Sequence, residues 1–195
     1  IWWSAHPSSD STWGQNSTTT FTSGFTASES TVSLTGGVSA DPSSGNIQAG
    51  YALFADSESV DISLVMTAGH ATVDVVYVID NIVKTIKDCL VFFSPQKASV
   101  VNNAGSEVTS MVADKSSLAG TSYAVMDGNW KYQYDRYNDL YRWIPLNGDV
   151  AGLCVATDLS TDPWFSPAGF NRGQVRNAVR LAFNPSKANR DDMYK

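Results

Sequence analysis

The stretch from Ala71 to Phe93 limits the possible folds of this chain more than any other. It opens with ATVDVVYVIDNIVKTIKDC, whose β-branched residues suit a strand but whose length exceeds one. Val75, Ile79, Ile82 and Ile86 recur at helical spacing, so length decides for a helix over residues 72 to 86. Cys89-Leu90-Val91-Phe92-Phe93 then runs unbroken and apolar until Ser94-Pro95, the pattern of a strand buried on both faces. Another apolar run, Asp61 to Thr67, precedes the helix and stops at Ala68-Gly69-His70. Strand, helix and strand in alternation predict an α/β fold. The expected form is a layered sandwich with a mixed central β-sheet flanked by helices, the strands at 61–67 and 89–93 being central. At an edge such runs would expose apolar surface at about 25 cal/mol per Å².

The other elements follow the same rules. Val32-Ser33-Leu34 alternates like a short strand, and Ile47, Tyr51 and Phe54 stand at helical spacing behind Asn46 as N-cap. Residues 98 to 119 read as one helix with Val108, Met111 and Val112 inward, and Tyr123 to Met126 as a further strand. Lys131 to Ile144 alternates by twos around Asp135 to Asp139, which predicts an aromatic β-hairpin. Pro145 to Gly148 ends it, and DVAGLCVATDLS resumes as a helix. There are no internal repeats. Residues 8 to 31 are dominated by Ser and Thr, with Trp13, Phe21 and Phe25 as isolated aromatics. Residues 1–30 are therefore expected to form an extended arm or hairpin at the edge of a neighbouring inserted domain, and residues 31–195 the α/β domain. The start at Ile1-Trp2-Trp3 without Met suggests a fragment or a processed chain.

Composition narrows the function classes. The 195 residues carry a net charge of −6, and no stretch concentrates the cations that a nucleic-acid groove needs. Charged residues are only 16% of the chain, which suits a surface largely covered by neighbours. Cys89 and Cys154 lie in apolar runs and read as free buried thiols of a protein folded in a reducing cytoplasm. No apolar run approaches the roughly 20 residues that span a bilayer, so no membrane association is expected.

Catalytic constellations are sparse. Gly120-Thr121-Ser122-Tyr123-Ala124 is similar to a subtilisin-type nucleophile segment, and Asp61 and His70 precede it in the matching order. A serine hydrolase would need Ser122, His70 and Asp61 within hydrogen-bond reach, and five small residues are a short match. The only histidines are His6 and His70, neither cysteine has a CxxC partner, and no glycine-rich phosphate loop occurs. No metal or cofactor is expected. Asp191-Asp192 beside Arg190 reads as a solvated face. Trp130, Tyr132, Tyr134, Tyr137, Tyr141 and Trp143 could form a carbohydrate-binding platform, although cross-strand aromatic pairs are common sheet stabilisers.

From Ser122 to Phe170 the chain reads SYAVMDGNW, then IPLNGDVAGLCVATDLSTDPWFSPAGF, with the densest pattern at 143–173. Ser122-Tyr123-Ala124, Pro145, Gly148, Val150 to Leu153, Thr157, Asp158 and Pro163 to Gly169 resemble the contractile tail sheath family of phages, especially the large T-even-like ones. LTGG at 34–37, the helix carrying Tyr51 and TAGHAT before the long helix fit as well, so the resemblance covers roughly residues 31 to 195. It implies a structural subunit and not an enzyme. Such subunits stack in helical rings around a tail tube and rearrange on contraction to drive genome delivery. The implied partners are other sheath subunits, tail tube and baseplate proteins. The implied place is the virion, after assembly in the cytoplasm of the host bacterium. Family subunits join neighbours through terminal arms that add strands. Neither arm is recognised here, so the chain alone is expected to be a monomer. Trp164, Phe165, Pro167, Gly169 and Phe170 are the structural or interface candidates. Stiff backbone between Pro163 and Pro167 should send one of the two aromatics into the core and leave the other partly exposed. Trp164→Ala would then cost roughly 3–5 kcal/mol if that ring were the buried one.

Overall fold

The computed structural model describes Gly37 and residues 40–194. The strand expected at 32–34 and the arm expected at 1–30 lie outside the described residues. Within them the protein is mixed α/β, with two small sheets and several helices.

The first sheet is entirely parallel, with β1 (Leu64–Met66), β2 (Leu90–Phe93) and β3 (Ala124–Met126) in that order. Val65 stands opposite Val91, and Phe92 opposite Val125. β2 is therefore the central strand, and Val91, Phe92 and Phe93 are all buried. The expectation for 61–67 is corrected in two respects. The strand is confined to 64–66, and it lies at the sheet's edge, with Met66 48% exposed. An apolar run reports which faces are covered and says nothing about how many neighbours a strand has. α1 (Ser44–Ala52) supplies a neighbouring contact, the Tyr51 hydroxyl donating to the Met66 carbonyl at 2.8 Å. Its N-cap is Ser43, whose Oγ accepts the Asn46 amide, so the expected cap at Asn46 is displaced by three residues.

Residues 72–86 are helical throughout, as α2 (Thr72–Val78), a π turn (Ile79–Val83) and α3 (Lys84–Ile86). Val75, Val78, Ile79, Ile82 and Val83 are buried against Val65, Val91 and Phe93. Widening the turn lets two adjacent pairs, 78–79 and 82–83, share the buried face, which a regular 3.6-residue turn does less well. Asn81 supports the turn from the solvent side by donating its Nδ2 to the Tyr77 carbonyl at 3.0 Å.

The helix expected over 98–119 is two helices, α4 (Lys97–Val100) and α5 (Glu107–Ser116). Between them Asn102 (φ 58°) and Gly105 (φ 86°) adopt left-handed backbone that no helix interior accepts. Met111 is buried as expected, but Val112 is 39% exposed.

The second sheet is antiparallel, in the order β5-β4-β6, from β4 (Trp130–Asp135), β5 (Leu140–Pro145) and β6 (Arg180–Leu181). The central sheet is thus purely parallel where a mixed one was expected, and the chain passes through Gly128 and Asn129 into a separate antiparallel sheet. Trp130 ties the two sheets together. Its ring lies against Gly69, and its Nε1 donates to the Pro95 carbonyl at 2.8 Å. α6 (Asn147–Ser160) packs on β1 and β2, and α7 (Lys187–Met193) packs on α5. α6 starts two residues before the expected Asp149.

Candidate functional site

Asp61, His70 and Ser122 are not brought together. Asp61 precedes β1 and Ser122 precedes β3, whereas His70 follows β1, so in a parallel sheet the imidazole belongs to the opposite end of the strands. Among the described residues no hydrogen bond links any two of the three. The His70 ring instead meets Tyr51 edge-on, with centroids 6.2 Å apart, and its carbonyl accepts from Gln96. The order of residues matched a triad, but parallel strand direction separates its members. Both cysteines are free, Cys89 buried and Cys154 half-buried, and burial pushes both thiols up. No group of three His, Cys, Asp or Glu side chains among the described residues could hold a metal, and no described helix is long and apolar enough to cross a membrane.

At the carboxyl ends of β2 and β3 lies a buried polar joint that the sequence reading missed. Ser94 Oγ donates to Asp127 Oδ2 at 2.6 Å and accepts the Asn147 amide at 3.2 Å, so it satisfies one orphan donor at the start of α6. Asn147 Nδ2 donates to the Ala68 carbonyl, joining the end of β1 to the same helix. Asp127 Oδ1 accepts the Asn129 amide, and the Asn129 side chain in turn bonds Phe183 through both its backbone groups. Burial pushes the Asp127 carboxyl up to about 7 against the pull of these hydrogen bonds, and the nearby Asp149 adds to the rise. Lys131 Nζ lies 2.8 Å from the Asp149 carboxylate in the first turn of α6, where an anion also suits the helix dipole. These groups saturate one another, and the joint holds structure together without presenting a reactive atom.

The aromatics of the second sheet pack largely on one another. Tyr132 lies 4.9 Å from Trp143 and 5.3 Å from Tyr141, and Tyr134 lies 5.2 Å from Tyr141. The Arg180 guanidinium covers both Tyr132 (4.9 Å) and Trp143 (5.3 Å). A cation therefore covers these two rings, while Tyr134, Tyr137 and Tyr141 stay exposed.

The residues singled out between α6 and β6 form one exposed crest. α6 ends as the Thr161 amide bonds the Thr157 carbonyl, and Pro163 forbids its continuation. Trp164 is 77% and Phe170 99% exposed, whereas Phe165 and Pro167 are half-buried. The expectation that one of these two aromatics enters the core is thus corrected: the Trp164 ring touches Phe165 (5.4 Å), and neither belongs to either core cluster. Arg172 braces the loop. Its guanidinium lies 4.5 Å from the Phe165 ring centroid, and its Nε donates to the Ser166 carbonyl. Gly169 (φ 145°) makes the reversal, and its carbonyl accepts the amides of Arg172 and Gly173. Leu159, 84% exposed, and Val155 extend the apolar surface along α6, four residues apart. That spacing was the available signal for these two. Large aromatics held out on a braced loop can anchor a protein contact and offer no proton-transfer chemistry.

No family model matches the chain. It is similar to the tail sheath protein of Vibrio phage KVP40, 44% identical over 133 residues, covering 61% of this chain and 20% of that protein. It is also similar to the tail sheath protein of Enterobacteria phage T4, 42% identical over 119 residues (56% and 18%). The tail sheath protein of Salmonella phage ViI is 40% identical over 110 residues (56% and 17%). The match thus spans about a fifth of the length of these homologues.

Proposed function

We propose that this chain is part of the sheath subunit of a contractile phage tail and that its role is mechanical. The observation carrying this reading is its 40–44% identity to three tail sheath proteins over more than half of its length. On this reading the layered α/β core is a building block that stacks in helical rings around the tail tube and rearranges on contraction to drive genome delivery. Its partners are other sheath subunits, the tail tube and baseplate proteins. It works in the virion, after assembly in the host bacterial cytoplasm, and it is not an enzyme. Trp164, Phe165, Pro167, Gly169 and Phe170 form an interface element, and the near-complete exposure of Phe170 supports that assignment. No observation favours a hydrolase built on Ser122, His70 and Asp61, or a carbohydrate-binding module built on the aromatic hairpin.

Electron microscopy tests this. The full-length protein carrying this sequence is expected to form tubes, alone or on a tail tube, and antibodies to the chain should decorate phage tails along their length. Particles whose tails remain unlabelled, with no tubes from the purified protein, would end the reading.

A further inference from the structure

The joint at the carboxyl ends of β2 and β3 offers nothing to a substrate, but its backbone can react with its own side chains. Asp127-Gly128 is the one Asp-Gly pair in the chain, and Asn147-Gly148 is the one Asn-Gly pair. In such pairs the glycine nitrogen can attack the preceding side-chain carbonyl carbon and close a five-membered succinimide. Glycine permits this because it has no Cβ to obstruct the attack and its backbone reaches the conformations that closure needs. The fold brings both pairs to one hydroxyl. Ser94 Oγ donates to Asp127 Oδ2 at 2.6 Å and accepts the Asn147 amide at 3.2 Å.

The two pairs are held differently. Asn147 is 2% exposed, begins α6, and has its Nδ2 engaged by the Ala68 carbonyl. A closed ring fixes ψ of its first residue far from the helical value of about −42°, so closure there requires the first turn of α6 to open. Asp127 instead follows β3 in irregular backbone, and Gly128 beyond it is exposed. A Cβ at Gly128 would meet nothing within 4 Å, so this peptide has room to turn. Asp127 Oδ1 accepts the Asn129 amide at 3.1 Å, which folds the carboxyl back over the intervening Gly128 peptide. Asp127 and Gly128 both line an open groove of about 520 Å³, through which water reaches them.

Closure at an aspartate needs the neutral acid, whose hydroxyl can leave as water. Burial keeps the Asp127 proton in place up to about pH 7. Near that pH about half the copies carry it, against on the order of one in a thousand for an ordinary carboxyl. Asp149 at the start of α6 adds to this retention, and Lys131 of β4 is paired with Asp149. Lys115 of α5 and Tyr194 after α7 line the same groove as Asp127.

We infer that Asp127-Gly128 is the site at which the folded chain converts to isoaspartate, while the fold holds Asn147-Gly148 unreactive. The Gly128 nitrogen bonds to Asp127 Cγ, the Cγ–OH bond breaks, and the hydroxyl leaves as water with the Gly128 amide hydrogen. Water then adds to one ring carbonyl, and the bond from that carbon to nitrogen breaks. Addition at Cγ restores aspartate. Addition at the Asp127 main-chain carbonyl leaves isoaspartate, whose main chain runs through Cβ and Cγ. The product has its original mass but one more main-chain carbon between β3 and β4, and its free carboxylate has left the place to which Ser94 donates. This chemistry is independent of the sheath reading.

Ageing the chain near neutral pH for several weeks, folded or unfolded in urea, tests the inference. Trypsin puts Asp127 in the peptide 116–131 and Asn147 in the peptide 143–172, so the two are read separately. Isoaspartate is read by methyl transfer from labelled S-adenosylmethionine with an isoaspartyl methyltransferase, and deamidation of Asn147 by the mass gained when its amide becomes an acid. In the folded chain isoaspartate is expected in 116–131 several-fold faster than Asn147 is lost from 143–172. In urea the order should reverse, because Asn147 is released and Asp127 gives up its proton. Gly128→Ala should lower the label in 116–131 several-fold with an unchanged melting curve. Gly148→Ala, whose methyl would meet only Met66 Sδ at 3.8 Å, should leave that label as it is. A folded chain that loses Asn147 first overturns the inference. So does isoaspartate at Asp127 that forms faster in urea than in the fold, or a label that Gly128→Ala retains in full. The comparison of folded and unfolded parent needs no variant, so it decides the matter even where Gly128→Ala alters folding.

Discussion

Ser94 donates its hydroxyl hydrogen to Asp127 across the carboxyl ends of two parallel strands, at 2.6 Å. Through Ser94 the same link reaches the first residue of α6, so the protonation of one carboxyl bears on three elements at once.

Asp127 makes stability depend on pH. Its carboxyl in the folded protein titrates near 7, above the ordinary 3.8, so the fold binds its proton more tightly than the unfolded chain does. The associated stability is complete below about pH 4 and is lost as pH rises through about 7. Asp127→Asn keeps the shape and removes the titration. The variant should match the parent near pH 4 and exceed it at pH 8 by on the order of 2 kcal/mol, after discounting for partial solvent access. Urea midpoints at the two pH values measure this, and equal differences at both would refute it.

Lys131 and Asp149 form a largely buried pair, and removing one partner strands the other. Lys131→Met should destabilise by about 3 kcal/mol, while the double change Lys131→Met with Asp149→Leu should recover most of that loss. A double-mutant cycle in denaturant reads the coupling directly. Additive losses would mean that the two charges do not depend on each other.

Two glycines should respond with opposite signs. A Cβ at Gly69 would lie 2.9 Å from Trp130 Cη2, on an indole already fixed by Pro95, so Gly69→Ala should cost about 1–3 kcal/mol. Gly152 lies within α6, and a methyl added there would meet nothing within 4 Å. Gly152→Ala should therefore gain about 0.5–1 kcal/mol from helix propensity. Thermal melts of both variants settle the comparison.

Ile82 and Trp164 differ in the same way. Ile82 is fully buried, and Ile82→Ala should cost about 2–5 kcal/mol. Trp164→Ala removes a larger side chain but should change stability by no more than about 0.5 kcal/mol. A large loss at Trp164 would return that ring to the core.

Much of this was legible in the residues because local physics decided it. The length of the 72–86 run excluded a strand, and the three apolar residues Val91 to Phe93 required cover on both faces. Strand order was not legible, since Val65 is as apolar as Val91 yet of the three parallel strands only β2 has two neighbours. The break at Asn102–Gly105 could have been read from Asn-Asn-Ala-Gly, a turn sequence inside an otherwise helical stretch. Ser43 prevailed over Asn46 as cap because the helix begins a turn earlier than its first large apolar residue. The polar joint lay beyond reach: Ser94, Asp127 and Asn147 are ordinary turn residues far apart in sequence, and only the parallel topology gathers them. The crest was found through its aromatics and prolines, but its exposure depended on where the chain leaves α6.

The π turn at Ile79–Val83 also bears on how the chain tolerates changes of length. A π turn is an α-helix carrying one residue more than its hydrogen-bond ladder needs. Loss of the exposed Asn81 would let the ladder close as a regular helix while α2 and α3 keep their present orientations. A helix of this kind can absorb a single-residue deletion at one point and nowhere else. Relatives that differ in length by one residue here can therefore present the same buried face to the same sheet.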